Sequence, residues 1–427
     1  MKIFSFPSLL LSFGLTAFLP VSASEPAVSI LEHGAIADGT TLNTKAIQSV
    51  IDTLASSGGG TVVIPTGVFV SGALFLKPGV NLRLEKDAVL RCSTDMANFP
   101  PLRTRIEGHF EEKFTPALIN ADHCDGFRLT GEGTLDGNGR PIWDEFWTKR
   151  NAAPDKQNFR NLSIPRARLA LIENSKDVVI DGVTFKDSQF WNLHLYRNRN
   201  VSVKNARFLV PDDYKQAPSA DGIDVDSCQD VTIQSCTFSV TDDCIALKGS
   251  KGPLALDDKD SPPVEHVRIS ECVFKRGNGI TLGSEATIVR DVMVENCRVT
   301  GAMPAFNFKL RTDTPQHYED IHFRGITFDS SGGSIIVIKR WSQYTDLKDL
   351  PPPQSIVRNI TVSDIHGRYG SFGVIQGNPG QTDISAITLE NIDIKLKDSR
   401  LNTRDVQDLK ITNVIVNGSP FAPPNDN

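Results

Sequence analysis

The sequence predicts an all-β fold, a single-stranded right-handed parallel β-helix (solenoid) with an N-terminal capping helix. Three observations predict it. One short phrase recurs nine times, strand-like alternation runs through its copies, and helical spacing is confined to one N-terminal segment.

The phrase is a short alternating strand, a break at a residue such as Asn, Gly or Asp, and a second short strand. It reads VVIDGVTFK at 178–186, VSVKNARFL at 201–209, VTIQSCTFS at 231–239 and VRISECVFK at 267–275. It continues as VMVENCRVT at 292–300, IHFRGITFD at 321–329, ITVSDIHGR at 360–368, ITLENIDIK at 387–395 and LKITNVIVN at 409–417. Successive starts lie 22 to 39 residues apart. A floor near that minimum with variable excess is what stacked coils carrying loop insertions produce. A Greek-key sandwich also uses short strands, but it does not repeat one phrase nine times.

Ahead of the repeats, Met1-Lys2 gives a positive start, residues 3–18 are largely apolar, and Val21-Ser22-Ala23 offers a small-x-small cleavage pattern. Residues 1–23 are therefore expected to be a signal peptide and 24–427 a single catalytic β-helix domain, secreted or periplasmic. No membrane anchor is expected in the mature form, because a span needs roughly 18 or more apolar residues. At about 43–56, Ala46, Ile47, Val50, Ile51 and Leu54 form one helical stripe that Gly58-Gly59-Gly60 terminates. No Lys-Ser or Lys-Thr follows those glycines, so they are not a phosphate loop. The helix is expected to cover the open N-terminal end of the solenoid. Segments 140–167, 249–263 and 342–355 interrupt the coil spacing and are expected to be loops that wall a cleft.

Composition narrows the function. Lys+Arg number 45 against 51 Asp+Glu, a formal net charge of −6, and no basic run exists to bind nucleic acid. The seven cysteines are odd in number and form no CxxC pair, so they are expected to be buried thiols rather than metal ligands. No metal or organic cofactor is expected, and the chain is expected to be a monomer.

The chemical signal is acidic. Asp221 lies 21 residues before Asp242, close to one solenoid turn, and Asp243 follows directly. Residues one coil apart sit in neighbouring strands about 4.8 Å apart, so the three carboxyls are expected to converge on one face. Their mutual repulsion would raise at least one pKa, giving the acid and base that glycosidic hydrolysis requires. Asp224 and Asp226 read as turn caps or exposed surface. Downstream, Gly277-Asn278-Gly279 lies in a glycine-rich strand that would let a substrate approach closely. Lys309 and Arg311 alternate, so both should project to one side of a strand, as a seat for an anionic substrate.

These elements, in this order, resemble glycoside hydrolase family 28, the polygalacturonase-like pectin hydrolases. The family's NTD, DD-plus-Cys, GHG and RIK markers correspond to Ser219-Ala220-Asp221, Asp242-Asp243-Cys244, Gly277-Asn278-Gly279 and Lys309-Leu310-Arg311. The similarity extends over roughly residues 30 to 420. It implies an exported inverting hydrolase of α-galacturonosidic linkages, with a pectic polysaccharide or oligogalacturonide as substrate. It also implies Asp242 as general acid, and Asp221 with Asp243 holding and activating the attacking water. Lys309 and Arg311 would bind the uronate carboxylate, and Tyr344 would be the family's active-site tyrosine. Asn278 stands where the family has His. His194, in the strand after Phe190-Trp191, is the candidate to replace it. The departures at Asn278, Lys309-Leu310-Arg311 and Ser219-Ala220 concern substrate contacts more than the acid and base. They point away from simple endo-cleavage of homogalacturonan and toward exo-acting or rhamnogalacturonan-directed specificity, between which the sequence does not decide. Two other classes compete: a pectate lyase, which would give unsaturated product, and a non-catalytic glycan-binding solenoid, which would give none.

Overall fold

Left-handed corner residues explain why one phrase repeats. In the computed structural model, which describes residues 1–2, 25–156 and 159–422, the breaks fall on Gly182, Asn205, Ser235, Glu271, Asn296, Gly325, Asp364, Asn391 and Asn413. All nine have φ between 51° and 81°, a region glycine enters freely and Asn or Asp enters more readily than other residues. The corner side chains also bond between coils. Asn205 donates from Nδ2 to Asp181 Oδ1 at 2.8 Å, and Asn413 donates to Asn391 Oδ1 at 2.9 Å.

On either side of each corner, strands pair in parallel with their counterparts in the next coil. Lys176–Asp181 pairs with Arg199–Lys204, which pairs with Gln229–Gln234, and Thr184–Lys186 pairs with Arg207–Leu209. A third strand completes each turn, as in Ala170–Glu173, Leu193–Tyr196 and Ile223–Asp226. The chain is therefore the parallel β-helix that the repeat predicts. Residues alternate inward and outward, and the inward set fills a continuous core. Phe185, Phe208, Phe238 and Phe274 stack through it, one per coil, with centroids 4.9, 5.0 and 5.3 Å apart. All seven cysteines are buried and unpaired, packed as small apolar groups.

The N-terminal helix spans Thr44–Ser56 and buries Ile47, Val50, Ile51 and Leu54, the stripe read from the sequence. The segment 140–167 differs from expectation. It opens with a second helix, Arg140–Ala152, instead of a loop. Pro141 starts that helix, and Ile142, Trp143 and Phe146 are buried on one face, with Trp143 Nε1 donating to Ser188 O at 3.0 Å. An antiparallel hairpin, Leu102–Ile106 with His109–Phe114, also stands outside the coils and left no repeat signal in the sequence. The leader assigned to residues 1–23 lies, from Ile3 onward, outside the described residues. Among the described residues, no helix is long and apolar enough to cross a membrane.

Candidate active site

The third strand of successive coils carries the site. Ile223 pairs with Ile245, Ile245 with Ile280, Ile280 with Phe306 and Phe306 with Ile336. This register puts Asp221 level with Asp243 rather than Asp242, and Gly222 N donates to Asp243 O at 2.8 Å. Two glycines allow the coils to close here. A Cβ on Gly222 would lie 2.3 Å from Cys244 O, and one on Gly277 would lie 2.5 Å from Asp242 O. Gly277 therefore serves the packing of one coil on the next, not the approach of a substrate as its sequence context suggests.

Asp221, Asp242 and Asp243 converge as expected. One oxygen from each lies within 4.8 Å of the others. Their surroundings differ sharply. Burial pushes Asp243 upward, but Lys309 and Lys248 overcome that and hold it below the ordinary carboxylate range. Lys309 Nζ lies 2.7 Å from Asp243 Oδ2, while Asn278 Nδ2 and Thr281 Oγ1 each donate to Oδ1 at 2.8 Å. Burial and the neighbouring Asp243 charge raise Asp242 to about 6. Burial, then Asp242, drives Asp221 well above the ordinary value. Asp243 is thus kept ionised, Asp221 retains its proton, and Asp242 keeps one below about pH 6.

Lys248 gives the floor of the cleft its positive charge. It is almost fully buried, with Nζ 3.8 Å from Asp221, 3.5 Å from Asp224 and 3.7 Å from Glu285, and 4.8 Å from the Trp191 ring centroid. Asp224 and Asp226 are correspondingly not surface groups, as the sequence suggested, but fully buried ones. Burial raises Asp224 to about 8 despite Lys248. Asp226 is held at about 2 despite its burial, chiefly because Arg105 Nε sits 3.2 Å away.

The loop before Asp221 is pinned from below. Buried Arg166, sandwiched between the Phe146 and Phe190 rings, donates to Pro218 O at 2.6 Å. The cleft walls come from Glu107 at the tip of the hairpin, Asn161, Ser219, Trp341, Gln343 and Tyr344. Two of the three insertions named from sequence spacing thus reach the cleft. The segment 249–263 instead packs on the flank, where Tyr196 Oη donates to Asp260 O at 2.7 Å.

The remaining site candidates are placed as follows. Asn278 and Lys309 touch the carboxylates directly. Tyr344 lines the cleft, but its hydroxyl donates to Phe159 O at 2.7 Å. Arg311 is fully engaged elsewhere. Its Nε and Nη2 donate to the two oxygens of Asp313, both at 2.8 Å, and Nη2 also donates to Tyr344 O at 2.8 Å. The paired-cation seat therefore splits, with Lys309 in the cleft and Arg311 behind its wall. His194 lies outside the cleft, buried edge-on beneath Trp191, with Nδ1 2.7 Å from Arg168 Nη1. Burial, with Arg168 adding to it, lowers His194 to about 4, so it is neutral. Sequence reasoning missed Lys248, Glu285 and Glu107. Lys248 could have been found, because it follows Asp242-Asp243 in one strand and shares the outward parity of Ala246. The two glutamates lie in a turn and on an insertion, where no periodicity marks them.

A cation could be drawn to three such carboxyls, but Asp243 is the one held ionised and Lys309 already balances its charge. The arrangement instead provides a proton donor beside an ionised acceptor.

The chain is similar to known proteins along most of its length. The family model of "Glycosyl hydrolases family 28" matches residues 60–419. A "Probable polygalacturonase" of Vitis vinifera is 25% identical over 88% of this chain and 76% of its own length. An "Exo-poly-alpha-D-galacturonosidase" of Dickeya chrysanthemi is 23% identical over 96% of this chain and 77% of its own. Among solved structures, a hyperthermoactive exopolygalacturonase from Thermotoga maritima superposes with a TM-score of 0.74 at 21% identity, covering 93% of this chain and 94% of that one.

Proposed function

This chain belongs to glycosyl hydrolases family 28 and is a glycoside hydrolase of the galacturonase type, and from that premise we propose that it cleaves α-galacturonosidic bonds of pectin by single displacement. The observation that carries the mechanism is the division of labour among the three carboxyls. Asp242, protonated at mildly acidic pH, donates its proton to the glycosidic oxygen as the bond to the anomeric carbon breaks. A water held by Asp221 and Asp243 attacks that carbon and passes a proton to ionised Asp243. Asp221, protonated, orients the water. A single water with hydrogen bonds of about 2.8 Å spans oxygens as close as these.

Displacement by water inverts the anomeric configuration. The nearest oxygens of the three carboxyls lie within 4.8 Å of one another, against roughly 6.5–9.5 Å between the carboxyls usual in inverting glycosidases, so the anomeric outcome is the step to test. Proton NMR of the first product anomer decides the point. Export rests on the composition of residues 1–23.

The first experiment is product analysis on homogalacturonan, rhamnogalacturonan and their oligomers, following reducing ends and unsaturation together. Saturated galacturonate-bearing products are expected, with their lengths separating exo from endo action. Unsaturated products would replace hydrolysis by elimination, and no product from any substrate would leave a binding solenoid.

A further inference from the structure

With Arg311 committed to Asp313, the chain needs another cation for an anionic leaving group. One recess beside Asp242 supplies it. The recess is bounded by Asp242, Asn278, Asn307, Lys309, Lys339 and Trp341, and neither Asp221 nor Asp243 lines it. An acid that protonates the leaving oxygen must face the leaving sugar, whereas the carboxyls that hold water face the opposite side of the anomeric carbon. Two recesses share only the acid among the three carboxyls and so qualify for the leaving-group side, and this one also stacks Lys339 on Lys309 along the strands that carry the site.

The strand register delivers the charge. Pro304–Arg311 pairs in parallel with Ser334–Trp341, and Lys309 is matched to Lys339 one coil on. Lys309 spends its charge on Asp243 at 2.7 Å and lies 4.9 Å from the Trp341 ring centroid. Lys339 is exposed and has no ion-pair partner among the described residues. Half-buried Trp341, beside it, offers an indole face to the apolar side of a sugar ring.

We propose that this recess is the leaving-group subsite, and that Lys339, not Arg311, receives the carboxylate of the uronate bound there. The inference rests on the galacturonide-hydrolase reading above. A cation at this place prefers a free carboxylate to its methyl ester, because only the former is charged.

The test compares kcat/KM for trigalacturonate with that for its methyl ester, in the wild type, Lys339→Gln, Lys339→Arg and Arg150→Gln. Arg150 is the control because it lines a second recess that also shares Asp242, on the side of helix Arg140–Ala152. In Lys339→Gln the preference for the free acid should fall about tenfold, mostly through KM, as for loss of one charge-assisted hydrogen bond. Lys339→Arg should restore most of it. An unchanged preference in Lys339→Gln, with or without a fall in Arg150→Gln, would overturn the assignment. If the wild type turned over no galacturonide at all, the underlying hydrolase reading would fail first, and this inference with it.

Discussion

The Lys309 ammonium lies 2.7 Å from the Asp243 carboxylate and makes no ion pair with Asp242, the next residue back in the same strand. Two adjacent carboxyls are thereby set apart. Asp243 is held ionised, whereas Asp242, buried beside that fixed negative charge, is raised to about 6. Such separation is how a site obtains an acid and a base from the same residue type.

Removing the donor should abolish turnover without disturbing the fold. Asp242→Asn changes almost no volume, and kcat should fall by about 10²–10⁴, the usual worth of a positioned proton donor. The check is steady-state kinetics beside far-UV circular dichroism. Near-wild-type activity would remove Asp242 from its role.

The pH profile follows from the same two groups. Activity needs Asp242 protonated and Asp243 ionised, so it should decline as pH rises through about 6 and persist below the ordinary carboxylate range on the acid side. Lys309→Met removes the cation that holds Asp243 down, so the acid limb should move to higher pH as kcat drops. A profile flat from pH 4 to 8 would contradict the Asp242 assignment, and a wild-type acid limb within or above the ordinary carboxylate range would contradict that of Asp243.

Lys248 should matter to stability as much as to turnover. Its loss leaves Glu285, which it helps to hold ionised, without that cation in a buried place beside the raised carboxyls of Asp221 and Asp224. Lys248→Met is expected to cost about 3–5 kcal/mol, the range for breaking a buried pair from one side. Chemical denaturation measures it, and a cost below ~1 kcal/mol would show that the carboxyls there are neutral without help.

Asp224 provides the opposite sign. Its folded pKa, about 8, lies above its unfolded value near 3.8, so folding takes up a proton. The resulting stabilisation is fully present below the unfolded value and is lost as pH rises toward 8. Asp224→Asn cannot ionise, so its melting temperature relative to wild type should climb between pH 4.5 and pH 8. A constant difference across that range would mean that Asp224 does not titrate there.

His194 should behave as a packing residue. It is neutral, buried beneath Trp191 and outside the cleft. His194→Asn is expected to lower the melting temperature while leaving the midpoint of the alkaline limb in place. A shift of that midpoint would instead couple His194 to Asp242.

The sequence by itself determined the architecture and named the three carboxyls that converge in the cleft. Left-handed corners must recur once per coil, and only a few residue types accept them, so nine copies of one phrase declare a solenoid. The spacing from Asp221 to Asp242, 21 residues, falls one short of the 22 that pair Ile223 with Ile245, so convergence was legible but Asp243, not Asp242, comes level with Asp221. Pro141 and the Ile142-Trp143-Phe146 face also carry the second helix in the sequence, although coil spacing alone marks that segment as a loop.

Only the tertiary structure decided which charges meet. Pairing between strands shifts register between Phe238 and Asp243, so alternation cannot predict which way Asp243 points. Arg311 and Lys309 are two residues apart in one strand, yet Asp313 captures one and Asp243 the other. The partners of Lys248 come from Asp221, Asp224 and Glu285, on different coils. Charge interactions act through space over a few ångströms in a medium that screens them weakly, and sequence distance carries almost no information about that separation.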